Sequence, residues 1–181
     1  MRLTDKDVLV IGAGRVGAAK VGLLVEAGAR VTVIAREVLA ELPRAVASIE
    51  RRDYLDGDLR GFALVISATG DATVNDRVVE EARREGVWLN VVDDPQRSDF
   101  YFTAVHRAGD VTVSVSTEGA SPALAQELRS MIARRLPDNL ADVARRLRQE
   151  RADFHRSGAS TEGLDWRGRI RELLGTDELA L

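Results

Sequence analysis

The 181-residue sequence predicts an α/β fold, with a doubly wound parallel sheet followed by a small β-hairpin and helix region and a C-terminal helical segment. An apolar run from Val8 passes directly into a glycine-rich turn and then into a helical pattern. Apolar strands alternate with helical segments as far as Val92, which is typical of parallel sheets with right-handed crossovers. The alternation stops after Pro95. We therefore expect domains at residues 1–95, 96–136 and 137–181.

The glycine-rich turn follows the first strand and opens the first helix. Gly12 can make the tight turn, Gly14 leaves space for a pyrophosphate beside the backbone, and Gly17 lets the helix pack on the sheet. The N–H groups and the positive dipole end of this helix favour phosphate. Gly28 ends the helix and a second strand at 31–35 completes a βαβ unit. This pattern predicts a Rossmann-type dinucleotide site.

The other elements of the sheet are predicted from apolar runs and capping residues. The expected strand order is 3-2-1-4-5. Ligands of such sheets bind beyond the carboxyl ends of the strands, so residues after Ile11, Thr69 and Val92 should line the site. In chain order the elements are a helix at 38–47, a weak strand at 48–52, a buried strand at 63–69, a helix capped by Asn75 that ends near Glu85, and a strand at 87–92.

The region beyond Pro95 has different patterns. Gly109 and Asp110 lie in a hairpin signal, and Ser121 followed by Pro122 is typical of a helix start. The predicted elements are strands at 100–105 and 111–117 joined by a turn at 107–110, a helix from Pro122 to about Leu136, and helices within 137–181 that break at 157–163.

Composition restricts the chemistry. The absence of cysteine excludes disulfides, thiolate metal sites and a cysteine nucleophile. A net charge of −3 without interleaved aromatic residues is unfavourable for nucleic acid. No apolar run approaches the roughly 20 residues of a membrane span, so we expect a cytoplasmic protein. His106 and His155 have no further ligand at metal spacing, so we expect no metal site.

Two adjacent carboxylates, Asp93 and Asp94, follow the fifth predicted strand. Successive residues of an extended chain point to opposite faces, so we do not expect both in one pocket. Asp93 ends the strand in the crevice, where a general base would lie, whereas Asp94 precedes Pro95 and is better placed to turn the chain. The alternative interpretation is that the pair only begins a loop, with Asp93 in solvent.

Five segments carry a resemblance to a known family. They are VLVIGAGRVGAAK from Val8, GARVTVIA from Gly28, LVISATGDATVN from Leu64, NVVDDP from Asn90 and STEGASPALAQELR from Ser116. Together they resemble the precorrin-2 dehydrogenase and sirohydrochlorin ferrochelatase family, which includes the N-terminal module of siroheme synthase. The first two segments are common to nucleotide-binding folds, whereas NVVDDP followed by the serine-rich turn is more specific.

The resemblance implies an NAD-dependent oxidoreductase that converts precorrin-2 to sirohydrochlorin in siroheme biosynthesis. In this family the catalytic aspartate is the first of the NVVDD pair, which is Asp93 here. Some members also insert ferrous iron, a lyase activity, and the sequence leaves open whether this chain does. The resemblance further implies a homodimer joined through the hairpin region, with a tetrapyrrole as the small-molecule partner.

The expected site residues are divided between cofactor and substrate. For Ser121, a plain helix cap is the alternative to substrate contact. The residues expected at NAD are Gly12, Gly14, Arg15, Val16, Gly17, Ala35, Arg36, Thr69 and Asn90, and those expected at the tetrapyrrole are Lys20, Ser116, Thr117 and Ser121.

The choice between NAD and NADP is open on residues alone. An acidic residue at the end of the second strand would hold the ribose hydroxyls of NAD, but the sequence there is Ala35-Arg36-Glu37. Arg36 could instead bind the extra phosphate of NADP. The resemblance favours NAD.

The C-terminal arginines admit two interpretations. They form either an ion-paired helix face or a wall that binds tetrapyrrole carboxylates. The arginines concerned are Arg134, Arg135, Arg145, Arg146, Arg148 and Arg151.

The function of the chain also admits a second interpretation. The chain could be a regulatory module that binds NAD without catalysis, although such modules lack NVVDDP.

Overall fold

The computed structural model describes residues 3–158, 160 and 163–175, and its contacts divide the chain between Tyr101 and Phe102 into two compact units. The elements of the first unit are β1 Asp7–Ala13, α1 Arg15–Glu26, β2 Arg30–Val38, β3 Ser48–Glu50, β4 Leu64–Ser67, α2 Ala72–Glu85 and β5 Trp88–Val91. The five strands pair in parallel in the order β3-β2-β1-β4-β5, which confirms the predicted doubly wound sheet.

The core of the first unit lies around the central strands. All four residues of β4 are buried, and Val8, Leu9 and Val10 of β1 are fully inaccessible. Such continuous burial is the property of strands covered on both faces. Helix α2 packs Val78 and Ala82 into the same apolar cluster as Leu9.

The helix predicted at 38–47 is wrong. Strand β2 continues to Val38, whose Cα pairs with that of Ala13 after a register shift in β1. The N–H of Leu39 then donates to the carbonyl of Ala13 at 3.0 Å, so the start of this segment hydrogen-bonds to β1 and not within a helix. Pro43 has no N–H to donate, which also disfavours a helix through this segment.

The cap predicted at Asn75 is also wrong. Asp71 caps α2, because its carboxylate accepts hydrogen bonds from the N–H groups of Thr73 and Val74 at 2.9 and 3.3 Å. Asn75 lies within the first turns of the helix and is buried. The Ser67 hydroxyl donates to its Oδ1 at 2.7 Å, so Asn75 joins α2 to the end of β4.

The described residues of the second unit form a hairpin and three helices. These elements are β6 Ala104–Ala108, β7 Val111–Val115, α3 Pro122–Ala133, α4 Leu140–Arg156 and α5 Trp166–Leu174. The strands are antiparallel as predicted, but the first begins later and extends to Ala108, because Gly109 and Asp110 alone make the turn. Gly109 has a φ of +56°, a conformation that favours glycine. The Ser121 hydroxyl caps α3, which ends at Ala133 rather than near Leu136.

Parts of two expectations lie outside the described residues. The predicted break at 157–163 includes residues 159, 161 and 162, and the predicted C-terminal helical segment includes 176–181. The described remainder of that segment contains α4 and α5, so its helical character is confirmed.

Candidate functional site

The three glycines of the turn after β1 have different surroundings. Gly12 has a φ of +99°, and a Cβ on it would lie 2.6 Å from the carbonyl oxygen of Ala68. A Cβ on Gly17 would collide with the carbonyl of Gly12. A Cβ on Gly14 would meet no atom of the described chain within 4 Å. Gly12 and Gly17 are therefore required by the fold, whereas Gly14 faces open space where a ligand can approach the backbone.

Helix α1 begins at this open position. Gly14 is its N-cap residue, and within the described chain no side chain accepts a hydrogen bond there and no acidic residue occupies the first turn. The positive end of the helix dipole is therefore not balanced by a carboxylate on its own first turn. This arrangement fits a pyrophosphate group.

A cleft of about 410 Å³ opens beside the glycine turn, at the carboxyl edge of the sheet. Five of the predicted cofactor residues line it, whereas Arg15, Val16, Gly17 and Asn90 are not part of its wall. The five predicted residues in the wall are Gly12, Gly14, Ala35, Arg36 and Thr69, and the lining residues with polar side chains that sequence reasoning missed are Glu37, Arg52, Asp53 and Tyr54. Three of the four missed residues follow β3, a strand whose carboxyl end shares this edge.

Asn90 has a structural partner of its own. It is buried, and its amide nitrogen donates to the carbonyl of Phe100 at 2.9 Å and more weakly to the Ser98 hydroxyl at 3.4 Å. The Ser98 hydroxyl in turn accepts from the N–H of Val91 at 2.9 Å. Asn90 thus fixes the chain that follows β5.

Asp93 lies in a tight turn at the end of β5. The N–H of Asp94 donates to the carbonyl of Val91 at 3.1 Å, which closes the turn, and Asp93 has a φ of +62°. This left-handed conformation is ordinarily taken by glycine or asparagine at such a position. Asp93 is exposed, and its carboxylate lies at the same edge of the sheet as the glycine turn.

Asp94 turns the chain, as the sequence predicts. Its carboxylate caps the short 3-10 helix Pro95–Arg97 by accepting from the N–H of Arg97, and it pairs with the Arg97 guanidinium at 2.5 Å. Arg97 also pairs with Asp76 of α2 at 2.6 Å. The hydrogen bond that the Arg97 guanidinium donates to the Asp94 carboxylate raises the pKa of Arg97.

Lys20 lies on α1, one turn beyond Val16. Burial lowers the pKa of the Lys20 ammonium, and the negative charge of Asp93 acts in the opposite direction. The structure therefore places the predicted substrate residue Lys20 within electrostatic range of the predicted catalytic residue Asp93.

The other three predicted substrate residues belong to the second unit, where they occupy one turn between β7 and α3. The Thr117 hydroxyl donates to the carbonyl of Ser121 at 3.0 Å and accepts from its N–H at 3.2 Å. The Ser121 hydroxyl caps α3 through the N–H of Leu124 at 3.2 Å, and the Ser116 hydroxyl accepts from the N–H of Glu118 at 3.2 Å. All three hydroxyls therefore make local hydrogen bonds that shape the turn.

Several of the C-terminal arginines make ion pairs. Arg145 pairs with Asp142 at 2.6 Å, and Arg148 pairs with Asp110 of the hairpin turn at 2.6 Å. Arg134 lies 3.6 Å from Glu127. For these arginines the geometry favours an ion-paired helix surface.

The described part of the chain contains neither a metal cluster nor a membrane-spanning helix. Among residues 3–158, 160 and 163–175, no group of three or more His, Cys, Asp or Glu side chains is arranged to hold a metal ion. Over the same residues no helix is both long and apolar enough to span a membrane.

Comparison with known proteins gives relatives for both units. The sequence is 42% identical over 149 residues to a siroheme synthase of Methylococcus capsulatus, a match that covers 80% of this chain and 31% of the relative. It is 35% identical over 177 residues to a siroheme synthase of Tolumonas auensis, covering 96% of this chain and 34% of the relative. The chain thus spans about a third of the length of these relatives.

A solved structure and two family models complete the comparison. A structure named SirC, precorrin-2 dehydrogenase, superposes with a TM-score of 0.74 at 23% identity, over 97% of this chain and 85% of that one, which shows a shared fold. The family described as sirohaem biosynthesis protein central matches residues 109–135. The family described as putative NAD(P)-binding matches residues 1–104. The chain therefore belongs to the putative NAD(P)-binding family.

Proposed function

We propose that this chain dehydrogenates precorrin-2 to sirohydrochlorin with NAD as the oxidant, as a step of siroheme biosynthesis. The names of its relatives and of the superposed structure support this substrate. The single observation that carries the proposal is the position of Asp93, an exposed carboxylate in a left-handed turn at the same sheet edge as the nucleotide cleft. Strain of this kind is retained where surrounding structure and function require it.

The reaction removes two hydrogens from the macrocycle and leaves a new double bond. The chemistry that NAD would supply when bound is that of an electron acceptor for one hydrogen and its electron pair. The second hydrogen leaves as a proton, and its bonding pair becomes the double bond. In the proposal Asp93 accepts this proton as a general base.

Two features of the first unit support the roles proposed for Gly14 and Lys20. The open face of Gly14 and the first turn of α1 would hold the pyrophosphate of NAD. The Lys20 ammonium lies within electrostatic range of the Asp93 carboxylate, where the macrocycle would bind in this proposal. Lys20 would also attract the carboxylates of the tetrapyrrole.

We further propose that two copies of the chain form a homodimer through the second unit. Helix α3 carries Leu124, Leu128 and Met131 on one stripe with exposures of 52, 37 and 44%. Val105 of the hairpin is also exposed. Residues at this spacing form one face of a helix, and pairing two copies would remove that face from water. Light scattering should give twice the chain mass of 19.8 kDa, and Leu128→Glu should shift the protein toward monomer.

The test of the proposed function is a reaction of the purified protein with precorrin-2 and NAD. We expect sirohydrochlorin absorbance and NADH fluorescence to rise together with equal stoichiometry. NAD binding without turnover would instead indicate the regulatory module. Ferrous iron added after the oxidant is consumed tests the iron insertion that the resemblance implies for some members, since siroheme and sirohydrochlorin have different spectra.

A further inference from the structure

Strand β2 presents an unusual pair of residues to the nucleotide cleft. In dinucleotide-binding folds an acidic residue near this point accepts hydrogen bonds from the ribose hydroxyls of NAD. Here the buried Ala35 is followed by Arg36, whose side chain is 70% exposed and which lines the cleft. A cation at this place by itself favours the extra phosphate of NADP.

A carboxylate reaches the same place from the neighbouring strand. Strand β3 runs parallel to β2 with Glu50 aligned to Ile34, so the chain that leaves β3 arrives at the edge where Arg36 lies. Asp53, three residues after β3, lines the cleft, and its Oδ1 lies 2.6 Å from Nε of Arg36.

The loop that carries Asp53 is held in place from two sides. The Arg52 guanidinium donates to the backbone carbonyl of Asp53 at 3.0 Å and binds the Asp58 carboxylate at 2.6 and 2.9 Å. Glu81 of α2 is only 1% exposed and anchors the loop from beneath. Its carboxylate accepts hydrogen bonds from the Tyr54 hydroxyl and from the N–H groups of Gly57 at 2.9 Å and Leu59 at 3.2 Å.

Burial and the bond to Glu81 raise the pKa of the Tyr54 hydroxyl, so it stays protonated and keeps donating. Asp53 therefore belongs to a fixed part of the cleft wall and not to a loosely attached surface segment.

We propose that Asp53 is the residue that selects NAD over NADP in this chain. Its carboxylate neutralises Arg36 and offers the ribose hydroxyls an acceptor in the same cleft. A 2′-phosphate would have to displace Asp53 from Arg36 and would lie beside its negative charge. The inference depends on the nucleotide binding in the proposed function but not on precorrin-2 as substrate.

The exposure of the pair sets the size of the expected effect. Both side chains are more than half exposed, at 70 and 66%, so solvent screens their attraction and the pair adds little stability. Removing the Asp53 charge should therefore change nucleotide preference without unfolding the protein. We expect the ratio of NADH to NADPH affinity to fall by about tenfold, the scale of one charge interaction that is largely screened by water.

The test measures binding of NADH and NADPH directly, by nicotinamide fluorescence, in the full chain without precorrin-2. The wild type should prefer NADH. Asp53→Asn should tighten NADPH and weaken NADH, and adding Arg36→Gln to it should remove the gain in NADPH affinity. That gain should also diminish as salt is raised, because it depends on the exposed Arg36 charge.

The matched control is Asp56→Asn in the same loop. Asp56 is likewise 66% exposed and pairs with an arginine, Arg77, at 2.9 Å, but it does not line the cleft. This variant should leave the affinity ratio unchanged. Thermal unfolding of all variants should be close to that of wild type, which separates a change in selectivity from a loss of fold.

Three results would overturn the proposal. One is an affinity ratio in Asp53→Asn that stays within twofold of wild type. Another is a shift caused by Glu37→Gln and not by Asp53→Asn, which would assign the selection to the other carboxylate of the wall. The third is a wild type that prefers NADPH. A wild type that binds neither nucleotide would instead contradict the cofactor of the proposed function.

Discussion

Two turns lie at the same edge of the parallel sheet, and one uses its backbone where the other uses its side chains. The turn after β1 offers backbone: its open residue is a glycine with no atom of the described chain near its missing side chain. The turn after β5 offers side chains: Asp93 is held with φ +62°, and Asp94 is used to cap and brace the turn. The first turn suits a nucleotide and the second suits proton transfer.

The difference teaches which substitutions each turn tolerates. In the glycine turn a side chain at Gly12 or Gly17 would collide with the backbone, whereas a side chain at Gly14 would occupy the space of the ligand. In the Asp93 turn the fold would tolerate a smaller residue, because the strained backbone conformation is one that glycine adopts more readily. A side chain at Gly12 or Gly17 should therefore reduce both stability and function. Replacing Asp93 with glycine should instead raise stability while function is lost.

The largest expected effect is on nucleotide binding. Gly14→Val should weaken NAD by about a hundredfold or more, because its side chain would occupy the space of the pyrophosphate. The unfolding temperature should change little, since no atom of the described chain lies within 4 Å of that position. Calorimetry and thermal unfolding measure both quantities.

Gly17→Val is the contrasting variant for the same turn. Its side chain would collide with the Gly12 carbonyl, so we expect a marked loss of stability before any question of binding arises. A Gly14→Val protein with wild-type NAD affinity would place the cofactor elsewhere.

A smaller effect is expected at Lys20. Lys20→Met should raise the KM for precorrin-2 by about tenfold, the scale of one hydrogen bond to a charged group. Burial lowers the pKa of Lys20 below the 10.5 of the free side chain, and a lysine loses its charge as the pH rises through its pKa. The value of kcat/KM should therefore fall at alkaline pH, and Lys20→Arg should move this fall to higher pH. An unchanged alkaline profile in Lys20→Arg would remove Lys20 from substrate binding.

The smallest expected effects are on the free energy of unfolding, which should fall when Asp94 is replaced and rise when Asp93 is replaced by glycine. Asp94→Ala should lower the free energy of unfolding by about 1 kcal/mol, because it removes a cap and the partner of Arg97. Asp93→Gly should raise it by up to about 1 kcal/mol, because glycine adopts positive φ without steric cost. Urea unfolding measures both, and a destabilised Asp93→Gly protein would show that the turn is not strained.

Most features of these two turns could be predicted from the sequence, because the signals for them lie close together along the chain. The strand, the glycines and the helix of the first turn are contiguous, and the carboxyl-edge rule for parallel sheets placed Thr69 and Asp93 at that same edge. Asp94 before Pro95 was predicted to turn the chain for a similarly local reason.

The errors occurred where distant parts of the chain decide the structure. Residue Val38 joins β2 because it pairs with Ala13, which no local pattern at 38–47 records. Asp71 caps α2 although Asn75 is an equally good capping residue type, because Asn75 is bound to Ser67. Asp53 was missed because it approaches Arg36 from another strand. A search for polar residues after every predicted strand would have found it.

The measurement that tests the account most directly is turnover of precorrin-2 by Asp93→Asn under saturating NAD. The amide keeps the size of the side chain and the preference for the left-handed turn, but it cannot accept the proton. We expect unchanged NAD affinity and unchanged stability, with sirohydrochlorin formed about a hundredfold or more slowly than by wild type. Asp56→Asn, which alters a carboxylate outside the cleft, should keep the wild-type rate. Equal rates for Asp93→Asn and wild type would contradict the central claim that Asp93 is the catalytic base.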